Sequence, residues 1–116
     1  MSMLTQDQNT RLAEMFRLLG DPTRLRIVFA TLDHPVAVGD IAAELALSPS
    51  LVSQHLRHLR TAHLVRAERQ GKNVYYTAAD EHVTAVLKAM AAHVSEATSD
   101  DDEGDEFDQI ADALRR

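Results

Sequence analysis

Apolar residues recur every three or four positions along five stretches of the chain, and this spacing predicts five helices. The stretches cover about residues 6–19, 22–32, 38–47, 49–62 and 80–97. Gly20 closes the first of them, while Asp21 and Ser48 each stand directly before a proline. A capping side chain followed by proline is typical of a helix start, because proline lacks only an N–H that would have no partner there.

Between the fourth and fifth helices the apolar period shortens to two residues. Residues 65–69 and 73–77 are rich in valine and tyrosine and flank Gly71, which predicts a β-hairpin with Arg69 and Lys72 at its tip. Two strands are too few for a core sheet. Placed directly after two helices joined by a tight turn, they form the wing of a winged helix-turn-helix. The predicted fold is therefore mainly α with a small β-hairpin.

The fourth helix has one apolar and one polar face. The residues predicted to face the core are Leu51, Val52, Leu56 and Leu59. The opposite side carries Ser50, Ser53, Gln54 and Arg57. Hydroxyl and amide groups suit base edges and phosphates, and arginines such as Arg57 and Arg60 neutralise phosphate. Together with Arg69 and Lys72 of the wing, these residues predict a surface that binds double-stranded DNA.

A net charge of −6 would disfavour binding to nucleic acid if the negative charge were spread over the whole chain, but it is not. Residues 1–98 hold ten basic and ten acidic residues, whereas residues 99–116 hold eight acidic residues and two arginines. Between Arg57 and Lys72, five basic residues accompany one acid, Glu68, which is the charge pattern of a duplex-binding surface. We expect a DNA-binding and dimerisation domain in 1–98 and an acidic, disordered tail in 99–116.

Several classes of protein are disfavoured by what the sequence lacks. With no cysteine there is no disulfide, thiolate metal site or thiol nucleophile. No apolar run is long enough to span a membrane, and the N-terminus does not have the pattern of a signal peptide, so we expect a cytoplasmic protein. A zinc hydrolase is also disfavoured, because neither an HExxH motif nor a nucleophile elbow is present. We expect no enzymatic activity.

Four residues with metal-ligand chemistry occupy the two ends of the fifth helix: Asp80, His82, His93 and Glu96. Eleven residues separate His82 from His93, which is roughly 16 Å along a helix, whereas zinc–ligand bonds are about 2 Å long. One ion cannot contact both within one chain. If a second copy of the helix packs antiparallel, the first pair of one chain meets the second pair of the other, and a homodimer holds two four-ligand sites. The alternative is an ordinary solvated helix face.

Three segments in combination resemble the ArsR/SmtB family of bacterial winged-helix repressors. They are LGDPTRLRIV, VGDIAAELALSPSLVSQHLRHLR and HLVRAERQGKNVYY. The resemblance covers about residues 9–98 and implies a homodimer, formed through the N- and C-terminal helices, that binds operator DNA. Asp80, His82, His93 and Glu96 match the ligands of the family's zinc-sensing members, which come from both protomers.

The resemblance also implies a mechanism, in which the apo dimer holds the operator and releases it when Zn(II) binds, with Co(II) or Ni(II) as other metals for the same ligands. It gives His63 an allosteric role, since its backbone carbonyl accepts a hydrogen bond from the His93 ring in those members. Ala37 stands where thiolate-sensing members have cysteine, so thiolate sensing of cadmium, lead or arsenite is not expected, and Asp40 is interpreted as a helix cap. A metal-independent repressor with another effector, or none, is the alternative.

Overall fold

The computed structural model describes residues 3–99, so the prediction of a disordered acidic tail lies outside the described residues. Its elements are α1 (Gln6–Leu19), α2 (Pro22–Ala30), β1 (Val36–Ala37), α3 (Val38–Leu45), α4 (Pro49–Thr61), β2 (Val65–Gln70), β3 (Asn73–Ala78) and α5 (Glu81–Ser99). All five predicted helices and the hairpin are present. By their contacts the described residues form two units, which divide between Val83 and Thr84. Within residues 3–99, no helix combines the length and apolarity that crossing a membrane requires.

The predicted caps of α2 and α4 are confirmed. The Asp21 carboxylate accepts a hydrogen bond of 2.9 Å from the Arg24 backbone N–H, and proline follows at the first helical position. The Ser48 hydroxyl accepts one of 3.1 Å from the Leu51 N–H in the same way. Each bond satisfies a backbone donor that has no partner inside its helix, which defines where the helix begins.

The interpretation of Asp40 as the cap of α3 is wrong. The cap position is Ala37, whose side chain makes no capping hydrogen bond, and Asp40 lies in the first turn. If Asp40 were the cap, α3 would begin after it, but the helix already begins at Val38. Ala37 is the last residue of strand β1, and its extended backbone leads directly into α3. In the first turn the carboxylate still favours the helix through the positive end of its dipole.

The hairpin belongs to a three-stranded antiparallel sheet with the order β1–β3–β2. Strands β2 and β3 pair from Val65↔Ala78 to Gln70↔Asn73, and Gly71 makes the turn at a φ of 65°, where a side chain would be strained. Strand β1 was not predicted. Its two residues pair with Tyr76 and Tyr75, and a segment of this length is too short to show an alternating pattern.

The core of the first unit lies between α2, α3, α4 and the sheet. Its fully buried apolar side chains include Ile27, Val28, Ile41, Val52, Leu56, Leu59 and Val65. Three of the four positions predicted to face inward on α4 are confirmed. Leu51 is the exception and is 36% exposed, because it lies in the first turn of the helix and at the margin of the apolar stripe.

The difference in burial between Leu56 and Leu51 of α4 predicts a difference in stability between their alanine variants. We expect Leu56→Ala to lower the free energy of unfolding by about 2–5 kcal/mol, because it removes buried methyl groups and leaves a cavity. The matched variant Leu51→Ala should cost less than about 1 kcal/mol. Urea unfolding at one fixed protein concentration checks both values, and equal losses would contradict the assigned helix face.

Candidate functional site

The residues of α4 that were predicted to bind DNA lie together on its solvent side. Ser50, Gln54 and Arg57 are exposed and Ser53 is half-buried. They line one cleft of about 590 Å³ together with Pro49. Arg60, one turn beyond Arg57, is exposed as well. The structure therefore places hydroxyl, amide and guanidinium groups side by side on one helix face, where they can approach a DNA groove together.

A further residue lines this cleft that the sequence did not single out. Val38, the first residue of α3, borders the cleft from outside α4. A valine at the start of an apolar helix is normally assigned to the core, so its residue type gave no signal. Its position depends on the packing of α3 against α4, which the sequence pattern does not specify.

The wing presents its basic residues at the hairpin tip. Arg69 and Lys72 are exposed on either side of the turn at Gly71, and neither lines the α4 cleft. Glu68, the one acid of the basic segment, is paired with Arg66 at 3.1 Å. Because this pair neutralises itself, the positive charge of the wing is concentrated at its tip.

The structure brings Asp80 and His82 together at the start of α5. Asp80 Oδ1 accepts hydrogen bonds from the backbone N–H groups of His82, at 2.9 Å, and of Val83, at 3.1 Å, and so caps the helix. The His82 Nδ1 atom lies 3.6 Å from the same oxygen. The hydrogen bond from the Val83 N–H, followed by those of His82, holds the pKa of the Asp80 carboxyl below its ordinary value.

The Asp80–His82 pair is accessible and chemically suited to a metal ion. The two side chains are 57% and 86% exposed, so a ligand from a second molecule can reach them. Toward the other end of α5, His93 and Glu96 are exposed and one turn apart. Among residues 3–99, no group of three histidine, aspartate or glutamate side chains is placed to hold a metal. Two imidazoles and two carboxylates fit zinc by donor type, but within the described residues they occur only as pairs.

His63 lies at the junction between α4 and the sheet. It adopts a left-handed conformation with a φ of 62°, which is uncommon for a residue with a side chain, and its N–H donates to the Arg60 carbonyl at 3.0 Å. This conformation ends α4 and turns the chain into β2. The hydrogen bond between the His93 ring and the His63 carbonyl, which the family resemblance implies, stays a prediction.

Backbone hydrogen bonds connect this junction to the start of α5. The Leu64 N–H donates to the Leu59 carbonyl of α4 at 2.9 Å. The Leu64 carbonyl accepts from the Ala79 N–H at 3.1 Å, and Ala79 directly precedes Asp80. Two consecutive bonds therefore join the end of α4 to the residue beside the candidate metal ligands.

Comparison with known proteins agrees with this arrangement. The sequence pattern of bacterial regulatory proteins of the arsR family matches residues 21–67. The chain is 42% identical over 94 residues to the transcriptional repressor SmtB homolog of Synechocystis sp. The matched stretch covers 81% of this chain and 71% of that protein. These matches define a DNA-binding transcriptional regulator with a winged helix-turn-helix.

Two solved structures share the fold. The AntR antimony-specific transcriptional repressor superposes with a TM-score of 0.70 and 27% identity, over 86% of this chain and 91% of that one. The homodimeric winged helix-turn-helix DNA-binding domain of a Mycobacterium bovis protein superposes with a TM-score of 0.72 and 24% identity. The match covers 83% of this chain and 92% of that one. The chain belongs to the ArsR/SmtB family, as its sequence motifs predict, and its relatives are regulators rather than enzymes.

The two roles of Asp80, cap and candidate ligand, can be separated by substitution. Asparagine caps helices about as well as aspartate, whereas alanine does not. We expect Asp80→Ala to accelerate amide hydrogen exchange at His82 and Val83, and Asp80→Asn to leave it near the wild-type rate. Fast exchange in both variants would show that the charge, rather than the hydrogen bonds, holds the helix start.

The depressed pKa of Asp80 predicts how this cap depends on pH. A carboxyl group whose pKa is lowered by folding stabilises the folded state at pH values above its ordinary pKa. The stabilisation is lost as the pH falls through the lowered value. Protection of the His82 and Val83 amides, corrected for the intrinsic exchange rate, should therefore be constant near neutral pH and decline only in acid.

Proposed function

We propose that this protein is a homodimeric, metal-responsive transcriptional repressor of the bacterial cytoplasm. The apo dimer binds double-stranded operator DNA through α4 and the wing, and it releases the operator when Zn(II) binds to two symmetric sites between the subunits. Each site takes Asp80 and His82 from one chain and His93 and Glu96 from the other. The observation that carries the proposal is the exposed Asp80–His82 pair, which is held in place at the start of α5.

Exposed apolar side chains support the homodimer. On α1, Leu12 and Phe16 are exposed, the latter at 58%. On α5, Val86, Met90 and Val94 are exposed and four residues apart, so they share one helix face. Apolar stripes of this kind are typical of protein–protein contacts. The structural neighbour from Mycobacterium bovis is described as homodimeric, and a second copy of this chain is the partner that would cover both faces.

Donor chemistry supports zinc over softer metals. Nitrogen and oxygen ligands suit zinc, and cobalt or nickel can take the same ligands, whereas thiophilic ions require thiolates. The AntR neighbour is described as specific for antimony. That specificity is not carried over here, since the chain contains no cysteine.

The proposed coupling runs through the backbone of the first unit. Asp80 and His82 follow Ala79, whose N–H is bonded to Leu64, and Leu64 is bonded to α4. If zinc draws the start of α5 toward the partner subunit, this chain of bonds shifts α4, and the two reading helices no longer match successive major grooves. By linkage, DNA must weaken zinc binding by the same factor as zinc weakens DNA binding.

A mixed-dimer experiment tests whether the site is shared. Neither His82→Ala nor His93→Ala homodimers should bind Co(II) with the visible spectrum of a tetrahedral complex or release DNA with zinc. A heterodimer of the two variants keeps one intact site, because the wild-type halves come from different chains. Mixing the variants should therefore restore about a quarter of the wild-type number of sites if chains pair at random.

The controls decide between the remaining possibilities. His34→Ala removes an exposed histidine from the loop before β1 and should leave zinc release unchanged. Mixing that restores no site would rule out a shared site. Operator binding that does not respond to zinc in the wild-type protein would instead favour the metal-independent repressor.

A further inference from the structure

Val38 and Leu45 are both half-buried apolar residues of α3, but only Val38 borders the α4 cleft. Ile41 and Ala42 of this helix are buried in the core, whereas Val38 is only half-buried and borders the cleft formed by the polar residues of α4. A partly exposed valine beside a serine, a glutamine and an arginine contributes little to the core. Its methyl groups offer an apolar contact on the surface that approaches DNA.

The position of Val38 is fixed from both sides. Before it, Val36 and Ala37 pair with Tyr76 and Tyr75 of the sheet. After it, Ile41 is fully buried one turn along α3. Val38 therefore has a defined place at the cleft that Ser53, Gln54 and Arg57 also line, before any DNA is bound, as a base-reading contact requires.

The chemistry of this cleft matches an adenine–thymine pair. The C5 methyl of thymine is the apolar group that distinguishes this base in the major groove, and a glutamine amide can bond the N6 and N7 atoms of adenine. We infer that Val38 is a specificity-determining residue, which contacts a thymine methyl while Gln54 reads adenine in the same or the next base pair. This inference rests on the proposed binding of operator DNA by α4, but not on the metal site.

Replacing thymine by uracil tests the contact directly, because only the methyl group is removed. A duplex is first selected from random sequence with the wild-type protein, and each thymine is then replaced singly by deoxyuridine. At one thymine in each half-site we expect about fourfold weaker binding by the wild type, the effect of losing one buried methyl contact. Val38→Ala should bind the thymine duplex several-fold more weakly and should not distinguish uracil from thymine at that position.

Matched variants exclude an indirect effect. Leu51→Ala removes a partly exposed apolar side chain of α4 that does not line the cleft, and it should keep the wild-type uracil penalty. Arg57→Ala should weaken binding to all duplexes and reduce the slope of log K against log salt by about two, because the dimer loses one phosphate contact in each subunit. Val38→Ala should leave that slope unchanged. If Val38→Ala fails to fold, Val38→Thr keeps the shape and replaces one methyl with a hydroxyl, and it should reduce the penalty.

The inference is overturned if Val38→Ala retains the wild-type penalty at every thymine, or if no thymine shows a penalty in the wild type. Neither result affects the metal site, which is tested by zinc release. If Val38→Ala keeps the uracil penalty but still releases DNA with zinc, this inference fails and the proposed function stands. If the wild-type protein does not release DNA with zinc, the proposed metal response fails, whatever the uracil penalty.

Discussion

The backbone of Leu64 holds the functional parts of the first unit together. Its N–H closes the end of α4 and its carbonyl binds the residue before Asp80, while its side chain is buried in the core. Val65 begins the wing directly after it. Helix α4, the wing and the start of α5 therefore share one anchoring residue. A displacement at any one of these three elements must be accommodated by the other two or by breaking a buried hydrogen bond, which is costly.

Much of this architecture follows from local chemistry that the sequence displays. Asp21 and Ser48, each followed by proline, specify two helix starts, and Gly71 specifies the hairpin turn. These signals act within a few residues and need no tertiary context. The proximity of Asp80 and His82 has the same origin, because the cap places the aspartate beside the first turn of α5.

The features that the sequence did not reveal depend on tertiary packing. Strand β1 exists because β3 is next to it, and its last residue, Ala37, rather than Asp40, takes the cap position of α3. Leu51 matches the apolar period of α4 but lies beyond the reach of the core, and Val38 borders the cleft because α3 packs on α4. The proposed pairing of ligands across two subunits would likewise depend on a second chain, and in the sequence only the distance between His82 and His93 indicates it.

The cap of α5 has a consequence for how a cation could be accommodated. Both capping hydrogen bonds use the Oδ1 atom of Asp80, so the Oδ2 atom takes no part in the cap. Coordination through Oδ2 would leave the helix start intact and would add no folding step to metal uptake. Folding alone already restricts the orientation of this carboxylate, so a cation that bound it would cost less of its conformational entropy.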